Sequence, residues 1–286
     1  MNLNQKIIAW VDQSAYAANI ADYATWAALR LDAPLEFMHV AGPFAGQEAF
    51  GRRSQVIDIR QAQDVSVPLT SAQLRNISTV HPGQVRRSEF KASISFGDRT
   101  AHFSHQEGEF SEVVQLWDRD IRLHVFGRRG LSPGNLGPDV RRCIRVLNRP
   151  VLIVDDAFNS LQRAMIVFDR GTICRRGIQL IASNPLFTGF SIHLLMCAEA
   201  NEETLKAINW ATNCLTSVGI EISAAFHQGE IKSQLQSMIK AQSIDLLVLA
   251  AYPYTPLRSM LLGHATTDFL RATTIPALLL RQLVDE

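Results

Sequence analysis

Ile121-Arg-Leu-His-Val-Phe-Gly127 and Ile244-Asp-Leu-Leu-Val-Leu-Ala250 are the two stretches on which the fold turns. Each is a short apolar run, the pattern of a strand buried on both faces of a parallel sheet. Each is followed by a loop, a helix-spaced pattern from Gly137 or Gly263, and a further apolar run, Pro150-Val-Leu-Ile-Val154 or Pro276-Ala-Leu-Leu-Leu280. Placing Ala250 on Gly127 pairs Ile244 with Ile121, Leu246 with Leu123 and Val248 with Val125. Placing Gly263 on Gly137 pairs Arg271 with Arg145, Pro276 with Pro150 and Leu278 with Leu152. A single alignment with one change of loop length accounts for all six pairs, so the chain carries an internal repeat.

The beginnings of the halves repeat more faintly. Ile7-Ile8-Ala9-Trp10-Val11 runs into Asp12, Ala164-Met165-Ile166-Val167-Phe168 runs into Asp169, and a helical pattern follows each aspartate. Further apolar runs at Leu35 to Val40, Ser191 to Met196, Ile220 to Phe226 and Leu246 to Leu249 alternate with helical stretches such as Glu203 to Val218 and Ile231 to Ala241. Strands alternating with helices predict an α/β protein: two tandem doubly wound, mainly parallel five-stranded sheets with helices on both faces, related by a pseudo-twofold. The polar segment Asp156 to Gln162 sets the boundary, giving domains 1–157 and 158–286. An irregular excursion at about 42–97 interrupts the first domain; its strand pairing is left open.

Composition excludes several function classes. With 28 basic and 27 acidic residues and a net charge of +1, nothing suggests a nucleic-acid or membrane partner held by bulk charge. The polar Met1 to Gln5 leads into an apolar run too short for a signal peptide or a span, which places the protein in the cytoplasm. The four cysteines lack CxxC spacing and read as reduced, mostly buried thiols.

Chemistry is expected at the carboxyl ends of the strands, where open α/β sheets bind ligands. There Asp12 and Asp169 either accept hydrogen bonds from an adenine or ribose or cap the following helix, a role that Ser14 and Thr172 are close enough to share. The loop from Gly127 through Gly130 to Gly137 follows a strand and precedes a helix, a place for backbone amides to meet a phosphate, with Arg128 and Arg129 as added cations. Its counterpart, Ala250 through Pro253 to Gly263, offers Arg258, Thr266 and Thr267. His102 and His105 lack a carboxylate or cysteine to complete a metal set, and His39 and His193 read as core histidines with partners. No nucleophile elbow, HExxH or Walker A motif occurs, so an enzyme is not expected.

These residues resemble the universal stress protein family in its tandem form, over nearly the whole chain apart from the irregular stretch. The family domain opens with a strand ending in aspartate, matched by Asp12 and Asp169. Its hallmark is a G-x2-G-x9-G-[S/T] loop that wraps ATP phosphates. Gly127, Gly130 and Gly137 match the glycines of the first half; Ala250, Pro253 and Gly263 occupy those positions in the second. Gly108-Glu109-Phe110 and Gly229-Glu230-Ile231 look like the start of the family's penultimate helix. The chain also departs from the pattern. The first loop is short and Pro138 replaces the hydroxyl residue, while His264 replaces it in the second.

The resemblance implies a cytoplasmic stress-response protein that senses or binds a small ligand, with adenine nucleotide as first candidate and ATP with magnesium as cofactor. Both motifs are degenerate, and the alternative is an interaction scaffold with decayed clefts. The second half, which keeps the loop length, is the favoured site. The resemblance also implies that the final strands of the two halves, Val151 to Val154 and Ala277 to Leu280, pair within one chain as an internal pseudo-dimer, with further homo-oligomer formation left open.

Overall fold

The computed structural model describes residues 5–12, 16–41, 91–96, 99–129, 136–168, 170–228, 231, 234–251 and 259–281. They fall into two compact units, Met1–Cys143 and Ile144–Glu286.

The first unit contains β1 (Lys6–Trp10), α1 (Ala17–Leu31), β2 (Leu35–Ala41), β3 (Lys91–Phe96), β4 (Arg99–Glu107), α2 (Phe110–Trp117) and β5 (Ile121–Gly127), followed by α3 (Pro138–Val146), which runs past its end. The strand order is β3-β4-β2-β1-β5. β1 pairs in parallel with β2 and β5, and β2 pairs in parallel with β4. Ile7, Ile8 and Ala9 on successive positions of β1 are fully buried, so both faces of the strand are covered and its apolar run is continuous instead of alternating. Ala21, Ala24, Ala27 and Ala28 of α1 are buried with Ile20, and the small side chains let the helix lie close to the sheet. The last part of the irregular excursion is a strand: β3 runs antiparallel to β4, with Ser93 opposite His102.

The second unit contains β6 (Val151–Val154), β7 (Arg163–Phe168), α4 (Thr172–Ala182), β8 (Ser191–Met196), α5 (Glu202–Thr216), β9 (Glu221–Phe226), α6 (Leu235–Ala241), β10 (Leu246–Ala251), α7 (Ser259–Ala272) and β11 (Ala277–Arg281). Its order is β6-β11-β10-β7-β8-β9. β7 pairs in parallel with β8 and β10, β8 with β9 and β10 with β11, whereas β6 and β11 run antiparallel with Leu278 opposite Leu152 and Leu279 opposite Val151. This is the pairing anticipated for the two final strands. It also explains why β6, at the end of the first sequence repeat, is grouped with the second unit: its hydrogen bonds go to β11. Arg281 at the end of β11 donates to the carbonyl of Ile144. Asn201 starts α5 through a reciprocal cap with Thr204, accepting from its amide at 2.9 Å while Thr204 Oγ1 accepts from the Asn201 amide at 2.8 Å.

Candidate functional site

In each unit the first strand of the repeat lies between neighbours reached by connections that leave in opposite directions. β1 is flanked by β2 and β5, and β7 by β8 and β10. Such a reversal marks the carboxyl ends of these strands as the edge where open α/β sheets usually hold ligands.

In the first unit, Asp12 follows the end of β1. The helix-cap alternative for it is not realised, because the N-cap of α1 is Tyr16 and no side chain caps that helix. The same holds for Thr172, which is the first residue of α4 and not its cap; the N-cap there is Gly171, without a side-chain bond. Near the carboxyl ends of β2, which neighbours β1, and of β4, the next strand out, His39 on β2 is directly opposite His105 on β4. Their Nδ1 atoms are 3.0 Å apart and their rings lie within 17° of parallel. One nitrogen donates and the other accepts, so the contact holds one Nδ1 proton between two rings. Burial lowers the pKa of His39, the neighbouring His105 lowers it further, and the Asp12 carboxylate opposes both. The structure therefore brings Asp12, His39 and His105 to one edge, whereas the sequence reading treated His39 as an ordinary core histidine. β4 being a strand, His102 and His105 are three residues apart on opposite faces, and His102 is exposed.

The glycines of the first loop have local tasks. A Cβ at Gly127 would meet Cδ1 of Ile20 at 2.9 Å, so the glycine lets α1 pack onto the end of β5. A Cβ at Gly137 would meet the carbonyl oxygen of Arg129 at 2.7 Å, and the Gly137 amide donates to the carbonyl of Arg128 at 2.8 Å. That amide is thus engaged in closing the loop. Arg128 is 1% exposed, buried in the unit instead of solvated beside a phosphate. Arg129 lies with its guanidinium over the Tyr16 ring, 5.6 Å from the centroid. Pro138 is the first residue of α3, where a missing amide costs the helix nothing. Gly130 lies outside the described residues.

Behind this edge Trp10 Nε1 donates to His124 Nδ1 at 3.0 Å, and His124 Nε2 is 3.1 Å from Asp118 Oδ1. An imidazole that accepts at Nδ1 carries its proton on Nε2, which the Asp118 carboxylate accepts. The rings of Trp10, Phe110, His124 and Phe126 form an aromatic cluster around this bond. Glu109 starts α2 where the Gly-Glu-Phe motif placed a helix, its carboxylate accepting from the Glu112 amide at 3.0 Å.

In the second unit, Asp169, Pro253, Arg258, Gly229 and Glu230 lie outside the described residues. Ala250 is on β10 opposite Leu280. Gly263, His264 and Thr266 all lie within α7, which begins at Ser259. The loop was expected to reach Gly263 before the helix began; instead the helix starts earlier, because Met260-Leu261-Leu262 favour helix and one interior glycine costs only about 1 kcal/mol. Arg170, next to the strand end, has a left-handed backbone with φ of 68° and pairs through Nη1 with Glu203 Oε1 at 3.0 Å. His193 has the partner expected of a core histidine, Ser223 Oγ at 2.8 Å from Nδ1. Cys143 and Cys174 are buried, Cys197 and Cys214 partly so, and all four are free thiols. Among the described residues no three His, Cys, Asp or Glu side chains form a metal-holding group, and no helix is long and apolar enough to cross a membrane.

No protein-family model matches the chain. A universal stress protein of Synechocystis, Slr1230, is 20% identical over 293 residues, an alignment covering 97% of this chain and 100% of the relative. Among solved structures, a universal stress protein from Archaeoglobus fulgidus aligns with a TM-score of 0.64 at 14% identity, covering 100% of both chains. A putative universal stress protein from Pseudomonas aeruginosa aligns with a TM-score of 0.61 at 12% identity, covering 97% of this chain and 93% of that one. The fold is therefore that of the universal stress proteins, and the chain is similar in sequence to a relative of tandem length.

Proposed function

We propose that the chain is a tandem universal stress protein of cytoplasmic stress response, with repeats 1–157 and 158–286, that binds a small ligand and acts by regulation instead of catalysis. Adenine nucleotide is the first candidate, and the second repeat is its site. The observation that carries this reading is the reversal of connection at β7, between β8 and β10, which marks the carboxyl ends of those strands as the edge where such sheets hold ligands. Asp169 follows β7 at that edge in the sequence, and α7 begins close after β10.

ATP fits the two repeats differently. In the first, the Gly137 amide that would face a phosphate is engaged with Arg128, which argues against a phosphate wrap there. In the second, Asp169 would hold the adenosine end and Arg258 with Thr266 the phosphates, and magnesium would neutralise phosphate charge. Mass spectrometry of the freshly purified chain, followed by equilibrium dialysis against radiolabelled ATP, tests this reading. Retention of about one nucleotide per chain supports it; no retention by a folded, ligand-free sample refutes it.

The scaffold reading has one observation in its favour, the same engaged amide of the first repeat. It predicts no nucleotide at either repeat.

A further inference from the structure

We propose that His39 and His105 form a binding site for one divalent transition-metal ion, taken through their two Nδ1 atoms at the carboxyl edge of the first unit. The site is separate from the nucleotide reading, which concerns the second repeat.

The register supplies the pair. His39 and His105 are opposite each other on parallel neighbours β2 and β4, so their separation is set by the sheet and not by a flexible loop. The 3.0 Å between the nitrogens is close to the spacing of two adjacent ligands on one square-planar or octahedral ion: two imidazoles about 2.1 Å from the metal and roughly 90° apart have nitrogens about 3.0 Å apart, the nearly parallel rings turning so that both lone pairs meet the ion. Imidazole is a preferred ligand of nickel, copper and zinc. Both side chains are only part-buried, which leaves a way in for a hydrated ion. The Asp12 carboxylate acts on His39 from the end of β1 and favours a cation at this edge.

Binding replaces one hydrogen bond with two coordinate bonds. The proton held between the Nδ1 atoms moves through solvent to Nε2 of the ring that carried it, so both Nδ1 lone pairs face the ion and no net proton is released from the neutral pair. Two protein ligands leave the remaining positions to water or to oxygens of a bound molecule.

The test uses the full chain without a histidine tag, stripped with chelator and free of nucleotide, titrated by calorimetry with nickel chloride and separately with zinc sulfate at pH 7.5. The proposal expects one saturable site per chain for at least one metal. His39→Gln and His105→Gln should each weaken it tenfold or more, and His102→Gln on the opposite face should leave it unchanged. Circular dichroism checks the fold of each variant. Should a histidine variant misfold, nitrogen NMR of the wild-type imidazoles under zinc titration replaces it, with the Nδ1 signals of His39 and His105 expected to shift. No saturable binding at millimolar metal, undiminished binding in both variants, or shifts confined to other histidines would overturn the proposal. In those cases the pair is a proton-sharing contact only.

Discussion

The backbone amide of Gly137 donates to the carbonyl of Arg128 across 2.8 Å, and the position a Cβ would take at Gly137 is 2.7 Å from the carbonyl oxygen of Arg129. The loop after β5 is therefore shut against its own stem by backbone atoms that cannot rotate away. Gly137→Ala should destabilise the protein by about 1–3 kcal/mol, the usual range for overpacking. Gly127→Ala meets only the end of the Ile20 side chain, which can turn, and should cost less. Urea denaturation of both variants, followed by circular dichroism, checks the order.

Asp22 on α1 is buried, and its Oδ1 has no hydrogen-bond partner. Burial pushes its pKa up to about 7 from the ordinary carboxylate range. A raised acid holds its proton in the folded chain over a range where the unfolded chain has released it, so its contribution to stability falls as pH rises from about 4 to about 7. Asp22→Asn resembles the protonated form. Its thermal midpoint should exceed that of the wild type by more at pH 8 than at pH 4; an equal margin at both would refute the assignment.

Trp10→Phe keeps most of the aromatic cluster but takes the Trp10 donor from Nδ1 of the buried His124. Losing one donor to a buried polar atom costs about 1–3 kcal/mol. Denaturant titration should show that loss, and a variant as stable as the wild type would show that the bond contributes little.

Much of the fold was legible because strands buried on both faces write continuous apolar runs. Ile121–Gly127 and Ser191–Met196 have the limits read from sequence, and Leu35–Ala41 and Ala277–Arg281 differ by one residue at an end. β3 was not legible, since it lies within the irregular Gly42 to Gly97 stretch, lacks such a run, and has its antiparallel partner set by tertiary context. At the site, the repeat located Asp12 and the loop glycines, but it could not show that Gly137 spends its amide on Arg128. Nor could it pair His39 with His105. Those residues are far apart in sequence and meet only through the β2–β4 register, and the alternation of β4 that separates His102 from His105 was the one signal available. In the second unit Gly263 looked like the end of a loop because glycine so often punctuates, whereas the apolar Met260-Leu261-Leu262 before it carried the helix through.

The central claim, a nucleotide site in the second repeat, is tested most directly by calorimetric titration of the ligand-free chain with ATP, with and without magnesium, alongside the Asp12→Ala and Asp169→Ala variants. The account predicts one saturable site per chain, lost in Asp169→Ala and kept in Asp12→Ala. No binding to the folded chain, or loss in Asp12→Ala with retention in Asp169→Ala, would contradict it.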